Sequence, residues 1–124
     1  MRKTVWILIF GTVVALSVNG AGARPLYNTE FKGKYYKPGG TDVEKELARK
    51  IDMAKCLVCH GKKDGKEDKK VRNDYGQALS KLLKNEKDKE KVKKALDTVY
   101  DQKVPDGTET FGDRIKAGKL PGGE

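Results

Sequence analysis

Histidine occurs once in this chain, at position 60, and cysteine only twice, at 56 and 59. With no second Cys/His pair, the chain lacks the four ligands of a structural zinc site. Methionine is absent after Met53, and the one tryptophan, Trp6, lies close to the first residue. Large apolar residues are scarce against 36% charged ones. No stretch reads as a convincing strand, and no internal repeat is visible. A chain this polar offsets its conformational entropy with difficulty if it has only its own side chains to bury.

The beginning of the chain reads differently from the rest. Arg2 and Lys3 precede an almost wholly apolar stretch from Thr4 to Val18, and Ala21-Gly22-Ala23 follows as an A-x-A arrangement. That order is expected of a secretory signal peptide, residues 1–23, cleaved after Ala23. The apolar run of about 15 residues is short of the roughly 20 that span a bilayer, so no integral membrane segment is expected after cleavage. The expected destination is the periplasm, or secretion. Without Arg2 and Lys3 the formal net charge of +9 becomes +7. In an exported protein whose lysines alternate with Glu and Asp, this charge does not point to nucleic acid. It suits solubility, or docking to a partner with an acidic surface.

Residues 24–40 contain Pro25, Gly33, Pro38, Gly39 and Gly40 and read as an irregular segment. A domain of residues 41–124 follows. Thr41 with Glu44 forms a capping-box pattern, and Val43, Leu47 and Ile51 recur every four residues, predicting a helix that runs into Cys56. Gly61 to Lys70 reads as a lysine-rich loop. Asn73 or Asp74 is positioned to cap a helix with Tyr75, Ala78, Leu79, Leu82 and Leu83 on its apolar side. A third helix is expected over Lys87 to Tyr100, with Val92, Leu96, Val99 and Tyr100 on one face. Thr108 or Thr110 is placed to cap a short last helix carrying Phe111 and Ile115, closed by Gly118. The fold class expected is all-α, with three or four short helices.

Cys56-Leu57-Val58-Cys59-His60 is C-x-x-C-H, the attachment sequence for c-type haem. Two thiols separated by two residues reach the two vinyl groups on one edge of a porphyrin, and the adjacent imidazole turns under the ring to the iron. Both cysteines and the one histidine after residue 23 fall into the pattern, which random scattering achieves in roughly two of ten thousand such chains. One haem c per chain is expected, bonded through Cys56 and Cys59, with His60 as metal ligand. The other uses of these residues fit less well. A redox-active dithiol calls for a strand–helix context and a helix N-terminus at the cysteines. Zinc lacks a fourth ligand.

At this motif, with a capped helix leading into it and further short helices behind, the chain resembles the class I monohaem cytochromes c. The resemblance implies a small cytochrome c-like domain around one covalently attached haem. It also implies that the Val43/Leu47/Ile51 face meets the Val92/Leu96/Val99 face. The family's second axial ligand is a methionine from the C-terminal half, and this chain has none there. Met53, three residues before Cys56, reads as core filler on its helix. The sixth position is then open or water-bound, or filled by Tyr or Lys (Tyr75 and the lysines being available), or filled by a partner chain. Without Met, a lower reduction potential is expected. Arg49 and Arg72 are the arginines considered for haem propionates.

The leading expectation is a periplasmic electron-transfer protein that is not itself an enzyme and meets a redox partner protein. The alternative is a haem-based ligand-binding or gas-sensing module with an open sixth position.

Overall fold

The computed structural model describes residues 23–123. The expected signal peptide lies outside the described residues, Ala23 excepted. In chain order the elements are α1 (Ala23–Tyr35), α2 (Asp42–Ala54), a 3-10 turn (Lys55–Val58), β1 (His60–Lys63), β2 (Lys66–Arg72), α3 (Asp74–Leu83), α4 (Lys89–Tyr100) and α5 (Phe111–Lys116). The expectation of an all-α, cytochrome c-like domain is therefore corrected. Among the described residues the fold is mixed, five helices with a two-stranded antiparallel sheet.

Helix α1 takes residues 24–35 of the segment expected to be irregular, and residues 36–40 are irregular. Proline there reads as a breaker, but Pro25 falls in the first helical turn, where its missing N–H has no intrahelical role. Tyr27, Phe31 and Tyr35 recur every four residues, and Phe31 and Tyr35 are buried. Phe31 meets Tyr35 at 5.1 Å between ring centroids and Tyr75 at 5.8 Å. Tyr75 in turn meets Phe111 edge-on at 5.4 Å, and Tyr35 stacks on Tyr100 at 5.9 Å. This ring cluster, with Leu79, Val92, Leu96 and Val99, is the core. Burying each such side chain contributes roughly 1.5–3 kcal/mol.

The caps explain where the helices begin. Thr41 Oγ1 accepts from Glu44 N at 3.3 Å, and Glu44 Oε2 accepts from Thr41 N at 2.9 Å, completing the capping box. Asn73 caps α3, and Asp88 caps α4 by accepting from Glu90 N and Lys91 N. Thr110 and Asp113 form a second capping box on α5. Leu47 and Ile51 of α2 are buried, but Val43 is 46% exposed. Met53 is 74% exposed, which corrects its reading as core filler. Helix α4 packs chiefly on α3 and α1, so α1 takes much of the place the resemblance gave to α2. No helix among the described residues is long and apolar enough to cross a membrane.

The lysine-rich stretch expected as a loop is the β1–β2 hairpin. Asp64 (φ 52) and Gly65 (φ 76) are both left-handed, as the two central residues of a type I′ turn require. Lys63 pairs with Lys66, Lys62 with Glu67 and Gly61 with Asp68, but His60 pairs with Arg72. Strand β2 therefore carries Lys69, Lys70 and Val71 as an extra, unpaired stretch beside the His60–Gly61 step. Asp68 supports this bulge by accepting from Lys70 N at 2.8 Å.

Candidate functional site

Helix α2 stops at Lys55, whose backbone (φ 49, ψ −114) leaves the helical region. The 3-10 turn that follows carries Cys56, and Cys59 comes directly after it. Cys56 is exposed, Cys59 is half-buried, and both are free thiols. Burial, with a smaller contribution from Cys56, pushes the Cys59 thiol up to about 12. A redox-active dithiol draws on an α-helix N-terminus at the cysteines, whereas here they follow the C-terminal end of α2. Among the described residues no three His, Cys, Asp or Glu side chains gather as metal ligands.

One side chain, Asn73, holds the motif's backbone. Its Nδ2 donates to Leu57 O and Val58 O, each at 3.0 Å, and its backbone N donates to Cys59 O at 3.1 Å. Its Oδ1 accepts from Gly76 N at 2.9 Å, so the residue that caps α3 also fixes the attachment loop. Gly76 completes the junction. A Cβ there would stand 1.9 Å from Cys59 O, a backbone atom with no rotamer to move aside. Asn73 was legible in the sequence as a cap. Its grip on residues 57–59 was not, because that contact exists only once α3 is folded against the motif.

His60 is oriented by the bulge. Its Nδ1 lies 3.2 Å from Val71 O. A carbonyl only accepts, so Nδ1 carries the proton and Nε2 is left with its lone pair, the arrangement usual for a metal-ligating imidazole. Gly61 makes room for this contact, since a Cβ on it would meet Val71 Cγ1 at 2.8 Å.

Cys56, Cys59 and His60 border one cavity of about 430 Å³. That size lies within the range of cofactor sites, roughly 300–1,000 Å³. Phe31, Val58, Leu79 and Leu83 supply apolar wall, and Lys55, Lys69, Arg72 and Lys84 add positive charge. Among the described residues none of these four cations has an acidic partner, although many other surface lysines do. Arg49 does not border the cavity and is held in a two-pronged contact by Glu46 at 2.7 and 3.1 Å, which removes it from the arginines considered for propionates. Tyr75 does not border the cavity either. It is fully buried among Phe31 and Phe111.

These features meet what a covalently bound haem asks of its site: two thiols and an imidazole on one cavity, an apolar lining, and unpaired cations for carboxylates. A second recess of about 660 Å³ opens between α1, α2, α4 and α5, but neither cysteine nor His60 borders it. The chain matches no family model, no curated protein and no solved structure.

Proposed function

We propose that the chain carries one haem bonded to Cys56 and Cys59, with His60 as axial ligand, and works as an exported electron carrier in the periplasm. The observation that carries this reading is the gathering of all three motif residues on one apolar cavity, with His60 held through Nδ1 by Val71 O. Bound there, haem supplies an iron that cycles between ferric and ferrous states. The chain's own residues do the rest. Phe31, Leu79 and Leu83 would keep water from the ring, Val71 fixes the imidazole, and Arg72 with Lys69 would supply positive charge for the propionates. The hairpin's Lys62, Lys63, Lys66 and Lys70 are exposed and without ion pairs among the described residues, a surface suited to steering an acidic redox partner. Such a carrier is not an enzyme by itself.

The test is to express the chain with an export and haem-attachment system and to weigh the peptide spanning residues 56–60. A mass increase of one haem is expected, and Cys56→Ala with Cys59→Ala removes it. Mature protein without covalent haem would falsify the reading. A second reading, a haem module that binds small diatomic gases, is favoured by one observation. No Met and no second His is found among the described residues bordering the cavity. Rapid carbon monoxide binding by the reduced protein selects it over electron transfer.

A further inference from the structure

We propose that Lys84 is the second axial ligand of the haem, a proposal that rests on the haem reading above. The cavity is bordered by two groups of segments. The lining residues between Lys55 and His60, both cysteines included, and Lys69 with Arg72 come from the attachment turn and the hairpin. The rest of the wall comes from α1 and from α3 with the turn after it. A ligand from this second group would approach the iron from outside the segments that carry and orient His60.

That group offers few suitable atoms. Met, His and Cys are absent from it among the described residues. The Tyr27 hydroxyl is engaged, donating to Glu86 O at 2.9 Å. Asn28, Ser80 and Asn85 present neutral amide or hydroxyl groups, weaker partners for haem iron than a nitrogen base. Lys84 is the nitrogen base that remains.

Two observations mark Lys84 within this group. Its backbone is left-handed (φ 43, ψ 46), and so is that of Asn85 (φ 68). Glycine takes that conformation without cost, and side-chain-bearing residues do not. Lys84 closes α3 as its left-handed cap, and Lys55, which also borders the cavity with a positive φ, belongs to the attachment turn instead. Here the turn is pinned. Tyr27 ties it to α1, Lys84 N donates to Ser80 O, and the Glu86 carboxylate accepts from Lys87 N and Asp88 N. The second observation is charge. Lys89, Lys91 and Lys93, just beyond it, have carboxylate partners at 3.6, 3.2 and 3.1 Å. Lys84 has none among the described residues, so no carboxylate competes for its Nζ. On ligation the ammonium gives one proton to water, and the Nζ lone pair forms the bond to iron, whose oxidation state is unchanged.

The experiment uses the full chain with attached haem, alongside Lys84→Ala, Lys84→Arg, Lys84→Met and Lys93→Ala. The mass of the haem peptide, the ferric spin state by electron paramagnetic resonance, and the rate of carbon monoxide binding to ferrous protein are read for each. Expected are a low-spin parent, high-spin Lys84→Ala and Lys84→Arg that bind the gas about tenfold faster or more, a low-spin Lys84→Met, and a Lys93→Ala, altered away from the cavity, that behaves like the parent. Should Lys84→Ala fail to fold or load haem, Lys84→Arg, which keeps the charge without the ligand, decides. A low-spin Lys84→Arg, a Lys93→Ala that matches Lys84→Ala, or a parent already high-spin overturns the assignment of Lys84 and leaves haem attachment standing. Absence of covalent haem from the parent overturns both.

Discussion

Two parts of the molecule are held together by different means. Around Phe31, Tyr75 and Phe111, three helices meet through buried rings and aliphatic side chains, and burial is the main source of cohesion. Around His60 the chain runs in an exposed, lysine-rich hairpin with few buried side chains. It is located by Asn73, by the Val71 carbonyl and by two glycines that permit close approach. The core tolerates loss of directional contacts but not loss of volume. The site depends on single polar contacts and on the absence of a methyl group at particular places. This difference gives the mutations below distinct signatures.

The largest effect is expected in the ring cluster. Phe111→Ala removes a 1% exposed ring and should lower unfolding free energy by about 4 kcal/mol, read as a shift in the denaturant midpoint. At the junction of the two parts, Gly76→Ala drives a methyl group into Cys59 O. A loss of about 2–3 kcal/mol is expected, together with a lower fraction of chains carrying covalent haem. Wild-type stability in this variant would show that α3 and the attachment turn are not in close contact. Asn73→Ala should cost about 1–2 kcal/mol through the lost cap and the freed carbonyls. Amide exchange would be faster in residues 56–61 than in α4, which separates the site from the core.

Tyr75→Phe reverses the sign. The Tyr75 hydroxyl is buried without a hydrogen-bond partner, and burial holds its pKa well above the ordinary value. Removing it should stabilise the protein by about 1 kcal/mol in thermal unfolding. A destabilised variant would reveal a partner for that hydroxyl.

The smallest effect concerns acid. The Thr41 backbone N–H, aided by Lys37, holds the Glu44 carboxyl below its ordinary value of 4.5, and the Thr110 N–H holds Asp113 below 3.8. Because both folded pKa values are depressed, the stabilisation is complete above the unfolded values and is lost as pH falls through the folded ones. Glu44→Gln should therefore flatten the stability profile below about pH 4.5, with its small loss of stability present at neutral pH and vanishing in acid.

The same division marks what was legible in the sequence. Elements fixed by local chemistry were readable: the Thr41–Glu44 box, the Asn73 cap, the face of α4 and the Thr110 start of α5. So was the motif at residues 56–60, because its chemistry depends on spacing along the chain. Helix α1 was missed because Pro25 and Gly33 outweighed the Tyr27–Phe31–Tyr35 period. The hairpin was missed although Asp64-Gly65 is a strong turn signal, since lysines flank it where alternating apolar residues normally mark strands. The roles of Val71, Gly76 and Asn73 at the site arise from contacts between separate segments. Periodicity within one segment does not encode them.

The unpaired stretch Lys69–Val71 also bears on how the chain tolerates changes in length. Residues inserted at the Asp64–Gly65 tip would extend a solvent-exposed loop and leave the His60–Val71 contact in place. Deleting a single residue between 69 and 71 would shorten the path from Asp68 to Arg72 and draw the Val71 carbonyl off the imidazole. Thirteen consecutive residues, 60–72, thus divide into a tip free to vary in length and a base where residue number sets the angle of a ring.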